Sequence, residues 1–173
     1  MKSNAMPYDE RLSALVALLV EARPLCCWRN AALAVFQLPE FFEGGHYVEG
    51  WMVFVGEQSL RLIEHGWAVT HDHRIVDPSI ILLEEEASSI EYFSGAAYTR
   101  DQLQYSLAGA ILPLICDAGY GNDGMGHPGY KAAYERAFQR ALEKAHELQL
   151  DVTAIQVLTR QENVLGVTIL PQG

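Results

Sequence analysis

Residues 63–78 constrain the fold more than any other part of this chain. Apolar and polar residues alternate through Ile63, His65, Trp67 and Val69, a polar tip follows at residues 70–74, and Ile75 and Val76 restore the apolar run. Alternation, polar tip and apolar return make the pattern of a β-hairpin. Folding it about His71 sets His65 opposite Asp77 on one sheet face, with β-carbons about 4.5–5.5 Å apart. A carboxylate at that range can orient an imidazole. An imidazole so held has work to do only beside a nucleophile, and Cys27 is the upstream candidate.

The flanking segments predict helices before the hairpin and a mixture after it. Asp9 can cap a helix over residues 9–21, with Leu12, Leu15, Val16 and Leu19 at helical spacing. Pro24 ends it. Cys27 then opens an almost wholly apolar run to about residue 38, read as a buried helix closed by Pro39. Gly44 and Gly45 mark a turn, residues 47–55 read as a strand, and residues 56–59 as a loop. With the hairpin, this predicts an antiparallel meander. Residues 84–86 form an acidic run. Thr99 and Gln102 make a capping box before a helix over residues 101–110. Residues 118–129 are glycine-rich and suit a mobile flap over a cleft. Residues 130–149 hold the clearest helical period, and residues 152–158 and 164–170 read as two further strands.

The placement of Cys27 matters chemically. At the start of a buried helix, a cysteine meets the positive end of the helix dipole and unpaired backbone N–H groups. Both favour the nucleophilic thiolate, and the same N–H groups can hold an oxyanion. Cys27, His65 and Asp77 therefore form a candidate nucleophile, base and orienter. Cys26 is the adjacent alternative nucleophile. Taken singly, each residue also has a structural reading, since cysteine often serves as a small buried hydrophobe.

Three further residues are candidates for the surroundings of this site. Glu49 lies mid-strand among apolar residues, so it either lines the cleft or pairs with Arg29 or Arg61, or else faces outward. Asn30, one helical turn after Cys27, can bond to the site or cap a neighbouring loop. Trp67 shares the face of His65 and packs over the site or into the core. Glu64 points away by strand alternation. His71, Asp72 and His73 have metal-binding residue types but the spacing of a polar turn. Cys116, Asp117 and His127 make a weaker second thiol cluster. No metal or cofactor is expected.

Composition excludes several functions. Hydrophobic residues make up 50% of the chain, too many for a disordered protein. Residues 1–5, ahead of Met6, read as an expression-tag remnant, which leaves residues 6–173 as one expected domain. There are 22 acidic against 12 basic residues, a net charge of -10 and no Lys/Arg cluster. Nucleic acid and anionic membranes are therefore not expected partners. No apolar run approaches the roughly 20 residues that span a bilayer. The three cysteines, Cys26, Cys27 and Cys116, argue against a disulfide framework and for a reducing, cytoplasmic setting.

Four blocks carry a resemblance: residues 27–31 (CWRNA), 47–51 (YVEGW), 64–67 (EHGW) and 76–79 (VDPS), with a looser echo at residues 92–103. They resemble an uncharacterised family of small bacterial and phage proteins, whose blocks resemble in turn the core of the transglutaminase-like superfamily of cysteine enzymes. The resemblance implies an α+β, papain-like core: an antiparallel sheet packed with a Cys-bearing buried helix, with extra C-terminal helix and strands. It implies Cys27 as nucleophile, His65 as base and Asp77 as orienter. The implied chemistry is thiol-dependent hydrolysis or transfer at an amide or thioester carbonyl of a peptide, amide or acyl substrate. His65 is followed by Gly66 where the superfamily more usually has Ala. A non-catalytic binding, accessory or immunity-type module is the rival, since an acidic chain suits a basic partner.

Overall fold

The computed structural model describes residues 6–57, 59–83, 85–107, 112–116 and 124–159. Helix α1 (Glu10–Leu19) starts at Asp9, whose carboxylate accepts the Leu12 N–H at 2.9 Å. Such a cap is worth about 1 kcal/mol. The helix buries Ser13, Val16 and Ala17, whereas Leu15 and Leu19 are 43% and 49% exposed. The buried stripe is thus rotated from the expected one. Ser13 explains the rotation. Its hydroxyl donates to Asp9 O at 2.7 Å and accepts the Asp77 N–H at 3.0 Å, so this side of the helix turns inward. The helix stops at Leu19, short of the expected end, and Glu21 takes a left-handed φ of +49°.

Helix α2 (Cys27–Gln37) is buried over most of its surface, as its composition predicts. Pro39 does not simply close it. It opens the short helix α3 (Pro39–Phe42), at a position where its missing N–H costs nothing.

Strands β1 (His46–Val55), β2 (Leu60–Val69) and β3 (Ile75–Val76) form the expected antiparallel meander. A fourth strand, β4 (Ser89–Tyr98), pairs antiparallel with the other edge of β1 and was not foreseen. Its residues are mostly half-buried and include Ser94, Gly95, Ala96 and Ala97, which carry little strand signal. Helix α4 (Arg100–Leu107) follows with its capping box formed, Thr99 N–H to Gln102 Oε1 at 2.8 Å and Gln102 N–H to Thr99 Oγ1 at 3.3 Å. Helix α5 (Pro128–Glu147) buries Tyr130, Ala133, Ala137, Ala141 and Ala145 as a single stripe. Residues 152–154 form a 3-10 turn rather than strand, and β5 (Ile155–Leu158) runs parallel to β2. The expected strand at residues 164–170, residues 108–110 of the expected helix and residues 118–123 of the glycine-rich segment lie outside the described residues.

The result is an α+β fold with the sheet order β3-β2-β1-β4 and β5 also on β2. Strand alternation gives the sheet two faces. One carries Tyr47, Trp51, Val53, Leu62 and Ala68 and packs against α2 and α5. The other carries Val48, Trp67 and Val69, against which Met6, Tyr8 and Tyr92 pack.

The hairpin register differs from a fold about His71. Val69 pairs with Ile75 and Ala68 with Val76, a slip of two residues. The tip closes around Thr70, whose N–H donates to Arg74 O and whose carbonyl accepts from His73, both at 3.0 Å. A slip of two keeps parity, so Asp77 stays on the face of His65. It stands diagonal to the histidine instead of directly opposite.

Candidate functional site

Strand β2 explains how a helix start reaches a histidine in mid-sheet. Its inner edge is paired with β1 along its whole length. Its outer edge is bordered by β5 at residues 60–63 and by β3 at residues 68 and 69. Residues 64–67 face a gap between the two. The N-terminal turn of α2 packs there, and Gly66 permits it. A β-carbon on Gly66 would lie 2.7 Å from Trp28 Cδ1 and 3.1 Å from Trp28 Cα. The glycine beside His65 is thus a packing requirement of the Cys-bearing helix.

Asn30 holds the segment that delivers Cys27. It is fully buried, its Oδ1 accepts the Arg23 N–H at 3.0 Å, and its Nδ2 donates to Arg23 O at 2.8 Å and to Ser79 Oγ at 3.1 Å. One side chain therefore ties the loop before Cys27 to the loop after Asp77. Of the two uses open to it from sequence, it takes the loop-capping one. Cys26 and Cys27 are both free thiols.

His65 Nε2 lies 2.7 Å from Asp77 Oδ2 in a buried pair. Nε2 is thereby engaged, which leaves Nδ1 as the ring nitrogen for the thiol. Cys27 and His65 line the same cavity, and the sulfur is near enough to act on the charge of the ring. Burial opposes charging of His65, while Asp77 and then Cys27 favour it. The net effect holds the imidazole well above its usual value near 6.5. The cysteine that shares the cavity with His65 is Cys27, and Cys26 stands one residue before the helix as its N-cap.

Asp77 is itself fixed by surrounding donors. Tyr92 Oη donates to Oδ2 at 3.0 Å, and the Ser79 and Ile80 N–H groups donate to Oδ1 at 2.9 and 3.4 Å. Burial first, then Asp77, pushes the Tyr92 phenol well above 10, so it stays a donor. Tyr92 and Ser13 were not recognised as site residues from sequence. Only the looser echo at residues 92–103 touched Tyr92, and Ser13 reads as a helix residue with no sign of its long-range bond.

The remaining candidates divide by face. Trp67 stacks 6.5 Å from His65 at 17°, and 5.1 Å from Tyr92, so it forms one wall around the imidazole. Glu49 does not line this cleft. It sits on the opposite face, where it accepts from Tyr47 Oη at 2.8 Å and from the Leu114 and Ile115 N–H groups at 2.5 and 2.9 Å. Glu64 also faces away, bonded to Tyr130 Oη. Asp72 closes the hairpin tip, bonding Thr70 Oγ1 at 2.5 Å and Arg74 Nε at 2.8 Å. His127 caps α5 by accepting the Tyr130 N–H at 3.2 Å. Asp117, from the second thiol cluster, lies outside the described residues. Among the described residues, no group of three or more His, Cys, Asp or Glu could hold a metal ion, and no helix is long and apolar enough to cross a membrane.

Cys27 is 8% exposed, and it and His65 line a cavity of about 60 Å³. The sulfur is therefore reached through that cavity. Comparison with protein families, with characterised proteins and with solved structures returns no match to this chain.

Proposed function

We propose that this chain is a thiol-dependent hydrolase or acyltransferase acting at an amide or thioester carbonyl, on a transglutaminase- or papain-like core. The observation that carries the reading is the buried His65 held at 2.7 Å by Asp77, with Cys27 on the wall of the same cavity. The chain order of Cys on a buried helix, His on a strand and Asp before Pro agrees with the resemblance in the sequence blocks.

The chemistry follows from the placement. Cys27 passes its proton to His65 Nδ1, and the sulfur attacks the carbonyl carbon. As the C–S bond forms, the carbonyl π pair moves to oxygen. First-turn N–H groups of α2, which precede the first internal bond from Asn30 N–H to Cys26 O (2.8 Å), can receive that oxyanion. The carbonyl then re-forms. The bond to the leaving amine or thiol breaks, and the leaving group takes the proton from His65. Water or an acceptor, deprotonated by His65, releases the acyl group from Cys27. Asp77 keeps the ring oriented and supports its charged form throughout.

The test is thiol reactivity. Iodoacetamide at about pH 6 should alkylate Cys27 faster than its neighbour Cys26, as read by peptide mass spectrometry, and His65→Ala should abolish that preference. A Cys27 equally inert in both proteins would favour the non-catalytic binding module.

A further inference from the structure

The cavity beside Cys27 carries information about what the thiol attacks. Its walls include Leu25, Met52, Ile63, Ile80 and Leu83. Of its polar lining, Cys27 and His65 stand at the reactive end, the Ser79 hydroxyl is taken up by Asn30, and the Glu64 carboxylate is turned to Tyr130. Arg61, Ile63 and His65 are successive residues on one face of β2, so Ile63 lies between the histidine and the arginine. Met52 is the cross-strand partner of Ile63 and extends the same apolar surface. Arg61 brings a charge to the far wall, but its guanidinium is turned to Glu85 at 2.6 Å and lies 5.5 Å over the Phe54 ring. The wall charges thus offset one another, and a further charge brought inside would be desolvated without a partner. A single water needs about 10–15 Å³ of such space, so a cavity of about 60 Å³ takes about four to six heavy atoms.

We propose that this cavity is an acyl pocket for a short, uncharged aliphatic chain of about three to five carbons, whose carbonyl lies at Cys27. The inference rests on the thiol reading above and adds the substrate class. An apolar chain of that size fills the space against Ile63 and Met52. A long chain meets the Arg61–Glu85 wall, and an acetyl group leaves the floor empty.

The experiment uses the full chain and a series of p-nitrophenyl esters: acetate, butanoate, hexanoate, decanoate and the monosuccinate. The attacking sulfur displaces p-nitrophenolate, which is read by absorbance, and acyl-Cys27 is read by mass. Rates are divided by those of each ester with free cysteine. The relative rate should rise about fourfold per methylene from acetate to butanoate. It should fall by about tenfold or more for decanoate and monosuccinate. Ile63→Ala should move the optimum to longer chains and Ile63→Phe to acetate. An adduct that forms at the same relative rate with every ester would overturn the pocket and leave the thiol chemistry standing, as would a profile unmoved by folded Ile63 variants. No adduct with any ester would overturn both. If neither Ile63 variant folds, the wild-type ester series decides.

Discussion

Gly66 lies so close to Trp28 that a β-carbon there would sit 3.1 Å from the Trp28 Cα. The contact is between a strand position and the backbone of the helix that carries Cys27. It sets the distance at which α2 docks on β2, and hence where the sulfur stands relative to His65. Gly66→Ala should force the start of α2 outward. Overpacking of this kind costs about 1–3 kcal/mol. Urea denaturation should show that loss, and Cys27 alkylation should fall toward the Cys26 rate even in the folded fraction. A folded variant with an unchanged alkylation rate would mean that helix docking does not govern the thiol.

Stability should depend on pH through His65. Its folded value is raised above the ordinary 6.5. A raised histidine contributes stability that is fully present below the unfolded value near 6.5 and is lost as pH rises through the folded value. The unfolding free energy should therefore decline from about pH 6 into the alkaline range, and His65→Gln should flatten that part of the curve. Equilibrium denaturation across the range, in both proteins, checks the sign.

Asn30→Ala removes a buried amide that makes three bonds, two to Arg23 and one to Ser79. Each such bond is worth about 0.5–1.5 kcal/mol, and unsatisfied partners cost more. A loss of roughly 2–4 kcal/mol is expected by denaturation. Because the loop before Cys27 loses its clamp, amide exchange at residues 23–26 should accelerate more than at β1. Uniform acceleration would show that the amide acts only on global stability.

Much of this arrangement was legible in the sequence because local pattern and tertiary need agree. The β1–β2–β3 meander, the buried α2 and the α5 stripe follow from alternation and helical period. The His65–Asp77 partnership survived a wrong register, since a two-residue slip preserves face. What was not legible depended on distant contacts. Whether Leu15 or Ser13 of α1 faces inward is decided by the bond from Asp77 N–H to Ser13 Oγ, between residues 64 apart in the chain. Strand β4, with its small and half-buried residues, is recruited by the free edge of β1, so Tyr92 arrived at Asp77 unannounced. Glu49 is buried and bonded, but to Tyr47 Oη and the backbone at residues 114 and 115, on the face away from the cleft, where the sequence pointed to the cleft, to Arg29 or Arg61, or to solvent.

Tyr92→Phe separates the carboxylate's anchoring from its charge. The phenol and His65 Nε2 both meet Asp77 Oδ2, at 3.0 and 2.7 Å. Loss of a donor to this charged acceptor should cost about 1.5–3 kcal/mol. It should also leave Oδ2 a stronger acceptor for the imidazole, so His65 should titrate higher than in wild type by NMR. A purely structural tyrosine would lower stability without moving that titration.

Glu49→Gln tests how the segment at residues 112–116 is held behind the sheet. Each carboxylate oxygen of Glu49 accepts a backbone N–H, Leu114 at Oε1 and Ile115 at Oε2, and Oε1 also accepts from Tyr47 Oη. Glutamine keeps the shape but offers one oxygen and one NH₂ group, so one N–H must face a donor. Bonds to a charged acceptor are worth about 1.5–3 kcal/mol, and a donor left unpaired in the interior adds to the loss. The variant should therefore unfold at lower urea concentration, with a cost on the order of 2–4 kcal/mol. Tyr47 also feels the Cys27 sulfur electrostatically, so neutralising Glu49 changes the field on the thiol side as well. Cys27 alkylation measured against pH in the folded variant reads that change. A profile that moves relative to wild type ties the buried carboxylate to the sulfur through Tyr47, and one that superimposes confines Glu49 to anchoring the backbone at residues 114 and 115.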